Sequence, residues 1–188
     1  VTGAGGCIGS WVLALLTQAE IPAVAFDISN NKNRLKLLMT SENIAKIKWI
    51  SGNIVDTQIV EETVKNNNIR SIIHLAALQI PFCANDPIGG AKTNVVGTVN
   101  IFEAAKKYGL KRLAYTSSIV AHGFLSKKNY MATLYGAYKV CDENIAFLYN
   151  QDSGVPSIGI RPGIVYGVGR DQGMTSKTTV ALLAAAAD

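Results

Sequence analysis

The chain has 188 residues, 48% of them hydrophobic and 16% charged, with a formal net charge of +5. That supplies apolar material for one buried core and excludes a disordered polar chain. The basic residues are spread as Lys32/Arg34/Lys36, Lys106/Lys107, Lys111/Arg112 and Lys127/Lys128 and form no single stripe, so no nucleic-acid partner is expected.

Val1 and Thr2 read as the end of a first strand, after which a glycine-rich turn enters an apolar helix over about 7–19. Strands are then predicted at 22–27, 46–51, 70–76, 111–117 and 156–161, separated by helices at 31–40, 57–66, 88–108 and 134–150. The runs Ser71–Ala77 and Arg112–Thr116 are nearly continuous in apolar residues, as strands buried on both faces are. Strand and helix taking turns predicts an α/β fold, a doubly wound parallel sheet covered on both sides. The alanine-rich stretch Thr178–Asp188 reads as a helix without a final cap, and no initiator Met opens the chain. The expectation is therefore a domain over 1–170 and the start of a substrate-domain segment over 171–188, with the first strand and most of the substrate domain missing. A piece of this kind is expected to be poorly stable by itself, since neighbouring strands would keep unpaired groups.

Cys7, Cys83 and Cys141 are odd in number and far apart, so neither a disulfide framework nor a metal site is expected, and a reducing, cytoplasmic setting is the default. The longest apolar stretches, Trp11–Leu16 and Val180–Ala187, are too short to span a bilayer.

In Gly3-x-x-Gly6-x-x-Gly9 the first glycine permits a tight turn, the second a close approach of backbone to a pyrophosphate, and the third close helix packing. The phosphates would meet the unpaired N–H groups at the helix start. Asp27 ends the next strand eighteen residues after Gly9, where a carboxylate can hold the adenosine ribose hydroxyls. An acid there repels a 2′-phosphate, which favours NAD over NADP, although Lys32 and Arg34 follow closely. The alternative role for Asp27 is to cap the following helix.

These pieces stand in one order with Gly52-Asn53-Ile54, His74-Leu-Ala-Ala77, Asn94-Val-Val-Gly97-Thr98, Thr116-Ser117-Ser118, Tyr135-x-x-x-Lys139 and Arg161-Pro-Gly-x-Val-Tyr-Gly167. From Thr2 to about Arg170 the sequence resembles the extended short-chain dehydrogenase/reductase family, the group of UDP-galactose 4-epimerase and nucleotide-sugar dehydratases. The resemblance implies a cofactor surface of Gly3, Gly6, Cys7, Ile8, Gly9, Asp27, Asn53, Ile54, Leu75, Ala76, Ala77, Tyr135, Lys139 and Pro162. Asn53 stands where the family usually has Asp to bind the adenine amino group, and it keeps one acceptor oxygen. Asn94 matches a family asparagine and is read first as a support for the strand end. His74 lies inside an apolar strand and reads as a satisfied core histidine.

Tyr135 and Lys139 are four apart on a predicted helix and so share one face. A phenol ordinarily ionises near about 10, and a close ammonium would favour its phenolate, making it a base for a substrate hydroxyl. Tyr138 is a competing phenol, but its offset of one residue turns it to another face. The resemblance makes Ser118 the residue that orients the reacting oxygen, with Ser117 its structural neighbour, and lets Lys139 hold the nicotinamide ribose. Family dehydratases carry an Asp-Glu pair where Ile119 and Val120 stand, which disfavours water elimination. His122 replaces a family tyrosine. Only sixteen residues separate Ser118 from Tyr135, a short substrate-side loop that weakens the case for a UDP-sugar.

The function expected is an NAD-dependent sugar or nucleotide-sugar epimerase or oxidoreductase working through Ser118, Tyr135 and Lys139. The alternatives are a dehydrogenase of a simple sugar, sugar acid or hydroxy acid, and a non-catalytic dinucleotide-binding module. The resemblance also implies a homodimer through the helices near 88–108 and 134–150.

Overall fold

A computed structural model describes residues 1–121 and 132–187. Five strands form, all in parallel pairs: β1 (Val24–Asp27), β2 (Lys48–Ser51), β3 (Ile72–His74), β4 (Leu113–Thr116) and β5 (Ser157–Ile160). β1 pairs with β2, and β3, β4 and β5 pair in that order. Thr2 joins the two sets through parallel bridges to Phe26 and His74. Val1 carbonyl accepts from Phe26 N at 2.8 Å, and Thr2 N donates to Ile73 carbonyl at 3.0 Å. The order across the sheet is thus β2, β1, Thr2, β3, β4, β5, a doubly wound order whose direction reverses between Thr2 and β3.

The helices are α1 (Cys7–Gln18), α2 (Asn33–Lys36), α3 (Ser41–Lys46), α4 (Thr57–Asn66), α5 (Ile80–Asn85), α6 (Pro87–Ala91), α7 (Gly97–Lys107), α8 (Leu134–Ser153) and α9 (Lys177–Ala187). Successive strand residues point to opposite faces. In β1, Ala25 joins Leu13, Leu35, Ile44 and Ile47 on one side, while Phe26 joins Val60, Val64, Ile101 and Phe102 on the other. The central strands are therefore covered by two helical layers, as the apolar runs predicted, while the outer strands β2 and β5 stay partly exposed.

Two predicted helices differ from expectation. The one over 31–40 is shortened to α2, whose start is delayed by Asn31 Oδ1 accepting from Asn33 N, and an unpredicted α3 follows, capped by Thr40 Oγ1 accepting from Asn43 N. The one over 88–108 is preceded by α5 and begins afresh at Pro87, whose missing N–H suits a first turn. It continues through a π-helical turn, Lys92–Val96, before α7. That wider turn rotates Asn94 fully into the interior. α8 runs to Ser153 because it ends only at Gly154, whose φ of 60° closes the left-handed cap.

Candidate active site

Where the sheet reverses direction, the glycine turn and the end of β3 face each other. Gly3 has φ +65°, and a Cβ there would lie 2.7 Å from Ala76 N. A Cβ on Gly9 would collide with the Gly3 carbonyl oxygen, so α1 packs against the turn backbone to backbone. Gly6 is the N-cap of α1 and offers no side-chain bond, and the first turn holds no acid. The first N–H groups of Cys7, Ile8 and Gly9 are thus left for an outside acceptor, a fit for a pyrophosphate. Leu75 N and Ala76 N donate to Thr2 Oγ1 at 3.1 and 3.3 Å, which draws the β3 end up to the turn. Gly6, Cys7, Ala77, Leu78, Arg34 and Arg170 line a cleft of about 260 Å³.

Asp27 does not cap α2, which begins at Asn33. Its carboxylate accepts instead from Gly5 N and Ser29 N, both at 2.9 Å, and so braces the glycine turn. Neither following cation stands free beside it. Arg34 donates to the Gly5 and Gly169 carbonyls and pairs with Asp171, and the Lys32 ammonium lies 5.3 Å from the Trp49 ring centre. Asn53 Oδ1 accepts from Val55 N at 3.0 Å, and Ile54 is buried against Gly97, where a Cβ would come within 2.8 Å of it. Both sit past β2, beside Asp27 across the β1–β2 pair.

Past β4, the two neighbouring serines separate. Ser117 Oγ donates to Glu143, which Arg161 also grips with two N–H groups. Ser118 Oγ accepts from Val120 N at 3.3 Å and hydrogen-bonds the Tyr135 phenol. Ile119 N donates to the Pro162 carbonyl at 3.1 Å, which sets Pro162 beside this segment. Thr133 Oγ1 caps α8 by accepting from Gly136 N, so Tyr135 and Lys139 fall in its first turns. The Lys139 ammonium lies 5.8 Å from the Tyr135 ring centre. Burial pushes the phenol above its ordinary value, with the Ser118 bond drawing it partly back. Tyr138 faces elsewhere and donates to the Pro87 carbonyl at 2.9 Å.

Asn94 clamps the loop between the two ends, its Oδ1 accepting from Leu78 N at 2.7 Å and its Nδ2 donating to Leu78 carbonyl at 2.9 Å. His74 is buried between Thr2 and Thr98, with Nδ1 2.7 Å from Thr2 Oγ1 and Nε2 3.2 Å from Thr98 Oγ1. Thr98 Oγ1 donates onward to the Asn94 carbonyl, so His74 Nε2 is the protonated nitrogen. Burial, and then the Lys139 charge, pushes the imidazole down to about 3, that of a neutral core histidine.

Ser118, Tyr135 and Lys139 therefore converge, and Gly3, Gly6, Cys7, Ile8, Gly9, Asp27, Leu75, Ala76 and Ala77 gather at the adjoining turn. Sequence reasoning missed Asp142, which is buried and paired to Lys139 at 3.1 Å. Its spacing of three from Lys139 was a readable signal. Arg170 in the cleft lining and the Glu143 network were missed as well, since only the tertiary fold assembles them. His122 lies outside the described residues. Among the described residues no cluster of His, Cys, Asp or Glu could hold a metal, and no helix is long and apolar enough to cross a membrane.

A family model described as the NAD dependent epimerase/dehydratase family matches residues 1–188. The UDP-glucuronate 4-epimerase 4 of Arabidopsis thaliana is 27% identical over 183 residues, covering 89% of this chain and 41% of that protein. An L-threonine 3-dehydrogenase from a metagenome superposes with a TM-score of 0.84 at 24% identity, covering 98% of this chain and 60% of that one. The NAD complex of Thermus thermophilus UDP-glucose 4-epimerase gives a TM-score of 0.76 at 20% identity, covering 95% of this chain and 59% of that one. The chain spans about half the length of the curated relatives it matches, or less.

Proposed function

The chain belongs to the NAD dependent epimerase/dehydratase family, and we propose that it carries the cofactor-binding and proton-transfer residues of an NAD-dependent epimerase or dehydrogenase acting on a sugar or nucleotide sugar. The observation that carries this reading is the meeting of Ser118, Tyr135 and Lys139, with the phenol in the field of Arg170, which lines the cleft at the glycine turn. A pure binding module needs no phenol and lysine there.

NAD, when bound, supplies the acceptor for hydride. The residues that would hold it are Gly3, Gly6, Cys7, Ile8 and Gly9 for the pyrophosphate, Asp27 for the adenosine ribose, Asn53 and Ile54 for adenine, and Leu75, Ala76, Ala77 and Pro162 for the rest of its length. Ser118 orients the substrate hydroxyl by hydrogen bonding, and Tyr135 takes its proton. Lys139 stands below the ring to stabilise the phenolate. Residues 1–170 are the cofactor domain of this enzyme and 171–188 the first segment of its substrate domain. The dimer would form through the π-helical turn, α7 and α8, where Val96, Phe147 and Leu148 are exposed.

A second reading is a dehydrogenase of a simple sugar, sugar acid or hydroxy acid, favoured by the sixteen residues between Ser118 and Tyr135. The test is made on the full-length protein: NAD binding first, then substrates scored for epimer exchange or NADH accumulation. Epimer exchange without net NADH supports the first reading and NADH accumulation the second. Tyr135→Phe should lower turnover on the order of a hundred- to ten-thousand-fold while NAD still binds. Absence of affinity for NAD would overturn both.

A further inference from the structure

We propose that Asp142 is a positioning residue for the tyrosine–lysine pair: it holds the Lys139 ammonium beneath Tyr135 in a buried ion pair and offsets the charge that Lys139 brings to the phenol. The proposal rests on the reading of Tyr135 and Lys139 given above.

The geometry comes first. Lys139 Nζ and Asp142 Oδ2 are 3.1 Å apart, and their side chains are 2% and 1% exposed. Both stand on α8 three residues apart, so the helix itself fixes their separation. The carboxylate is not fully satisfied. The Thr98 hydroxyl lies against it, but that proton goes to the Asn94 carbonyl, and Asp142 Oδ1 is left buried without a partner. An ion pair in such a place contributes little to stability, because removing two charges from water costs about as much as their attraction returns. A core with an apolar residue at 142 and no lysine at 139 would fold as well. What the pair does accomplish is to keep a cation in a fixed place under an aromatic ring.

The charges around the carboxylate can be named from every side. On α8 they are Lys139, Glu143 and the thiol of Cys141; β4 brings Tyr115. His74 of β3 and Cys83 of α5 sit within the field of Lys139, and Arg170 acts on Tyr135 from beyond β5. His74 is neutral, and the Glu143 charge is taken up by Arg161. The phenol therefore has beside it an ammonium that is itself paired to a carboxylate. Burial raises Tyr135, and Asp142 adds to that rise. Asp142 itself is pushed up to about 6, by burial first, with Lys139 drawing it down.

The experiment is an ultraviolet tyrosinate titration of the full-length protein without cofactor, with the Tyr135→Phe protein subtracted to isolate one phenol. Asp142→Asn keeps an acceptor oxygen for Lys139 but removes the negative charge, and should lower the Tyr135 midpoint by about one unit or more. Asp142→Glu should return it to within a few tenths of a unit of the wild type. An unchanged or raised midpoint in Asp142→Asn overturns the proposal. Should that variant fail to fold, nitrogen NMR of the lysine ammonium groups in the unmutated protein decides. A slowly exchanging signal, assigned by its absence in Lys139→Met and lost as pH falls through about 6, supports the pair. Its persistence at lower pH counts against it. None of these readouts depends on NAD binding or turnover, so failure here leaves the proposed function standing, and failure of that function leaves the titration interpretable.

Discussion

The glycine turn and the tyrosine–lysine pair are held by different physics. At the glycine turn, Gly3, Gly9 and Ala76 approach at backbone distance, and the one carboxylate, Asp27, is satisfied by two backbone N–H groups. At the tyrosine end, Ser117, Ser118, Lys139 and Asp142 are buried together, with His74, Thr98 and Asn94 behind them. The first has no room for a methyl group at Gly3 or Gly9. The second has its stability tied to which groups carry charge. Volume should break one end and pH the other.

The largest effect is expected from Gly9→Ala, because the added Cβ meets the Gly3 carbonyl oxygen and backbone cannot swing aside as a side chain can. Urea unfolding should report a loss of at least about 3 kcal/mol, with NAD affinity falling in parallel. A variant of wild-type stability and affinity would mean that α1 does not need its close seat on the turn.

Acid should act through His74, which links the two ends by bridging Thr2 and Thr98. Its folded value is about 3 against an ordinary 6.5. Below 6.5 the unfolded chain takes up a proton that the folded imidazole refuses, so this stability is full above 6.5 and is lost as pH falls toward about 3. Between 6.5 and about 5 the loss from this one group is about 2 kcal/mol. Asp142 has the opposite sign. Its folded carboxyl holds a proton up to about 6 where the unfolded one releases it near 3.8, so it favours folding as pH falls across that window. His74→Gln, denatured chemically at several pH values, should therefore remove the acid loss and expose the opposing slope of Asp142. A wild-type acid slope in that variant would place the sensitivity elsewhere.

The same division explains what was legible in the sequence. All five strands were predicted, each two to four residues too long, because the apolar runs continue beyond the residues that pair. The glycine turn was legible because each glycine answers to a steric demand that no other residue meets. The helix over 31–40 misled because its breaks come from Asn31 and Thr40 bonding their own backbone, a choice that apolar spacing does not register. At the tyrosine end the spacing of Tyr135 and Lys139 was visible, yet Asp142 passed unremarked. An acid on a helix usually faces water, and only packing against Thr98 and Tyr115 decides that this one does not. The resemblance told Ser118 from Ser117, but what holds Ser117 was not legible, since its partner Glu143 lies 26 positions away.

The smallest effect belongs to the residue beside Lys139. Tyr138 offers the same phenol one position along α8, and its hydroxyl donates to the Pro87 carbonyl on the exposed side of the helix. Tyr138→Phe removes one solvent-facing hydrogen bond between α8 and the start of α6, worth about 1 kcal/mol or less by urea unfolding. Turnover should stay within about twofold of wild type, against the collapse expected of Tyr135→Phe. The two variants differ by one oxygen atom each and by about sixty degrees around one helix, so a comparison of their rates isolates direction from chemistry. If Tyr138→Phe were the damaging change, the hydroxyl on Pro87 would be the wrong resting place for that side chain, and the proton would have to leave by the other phenol.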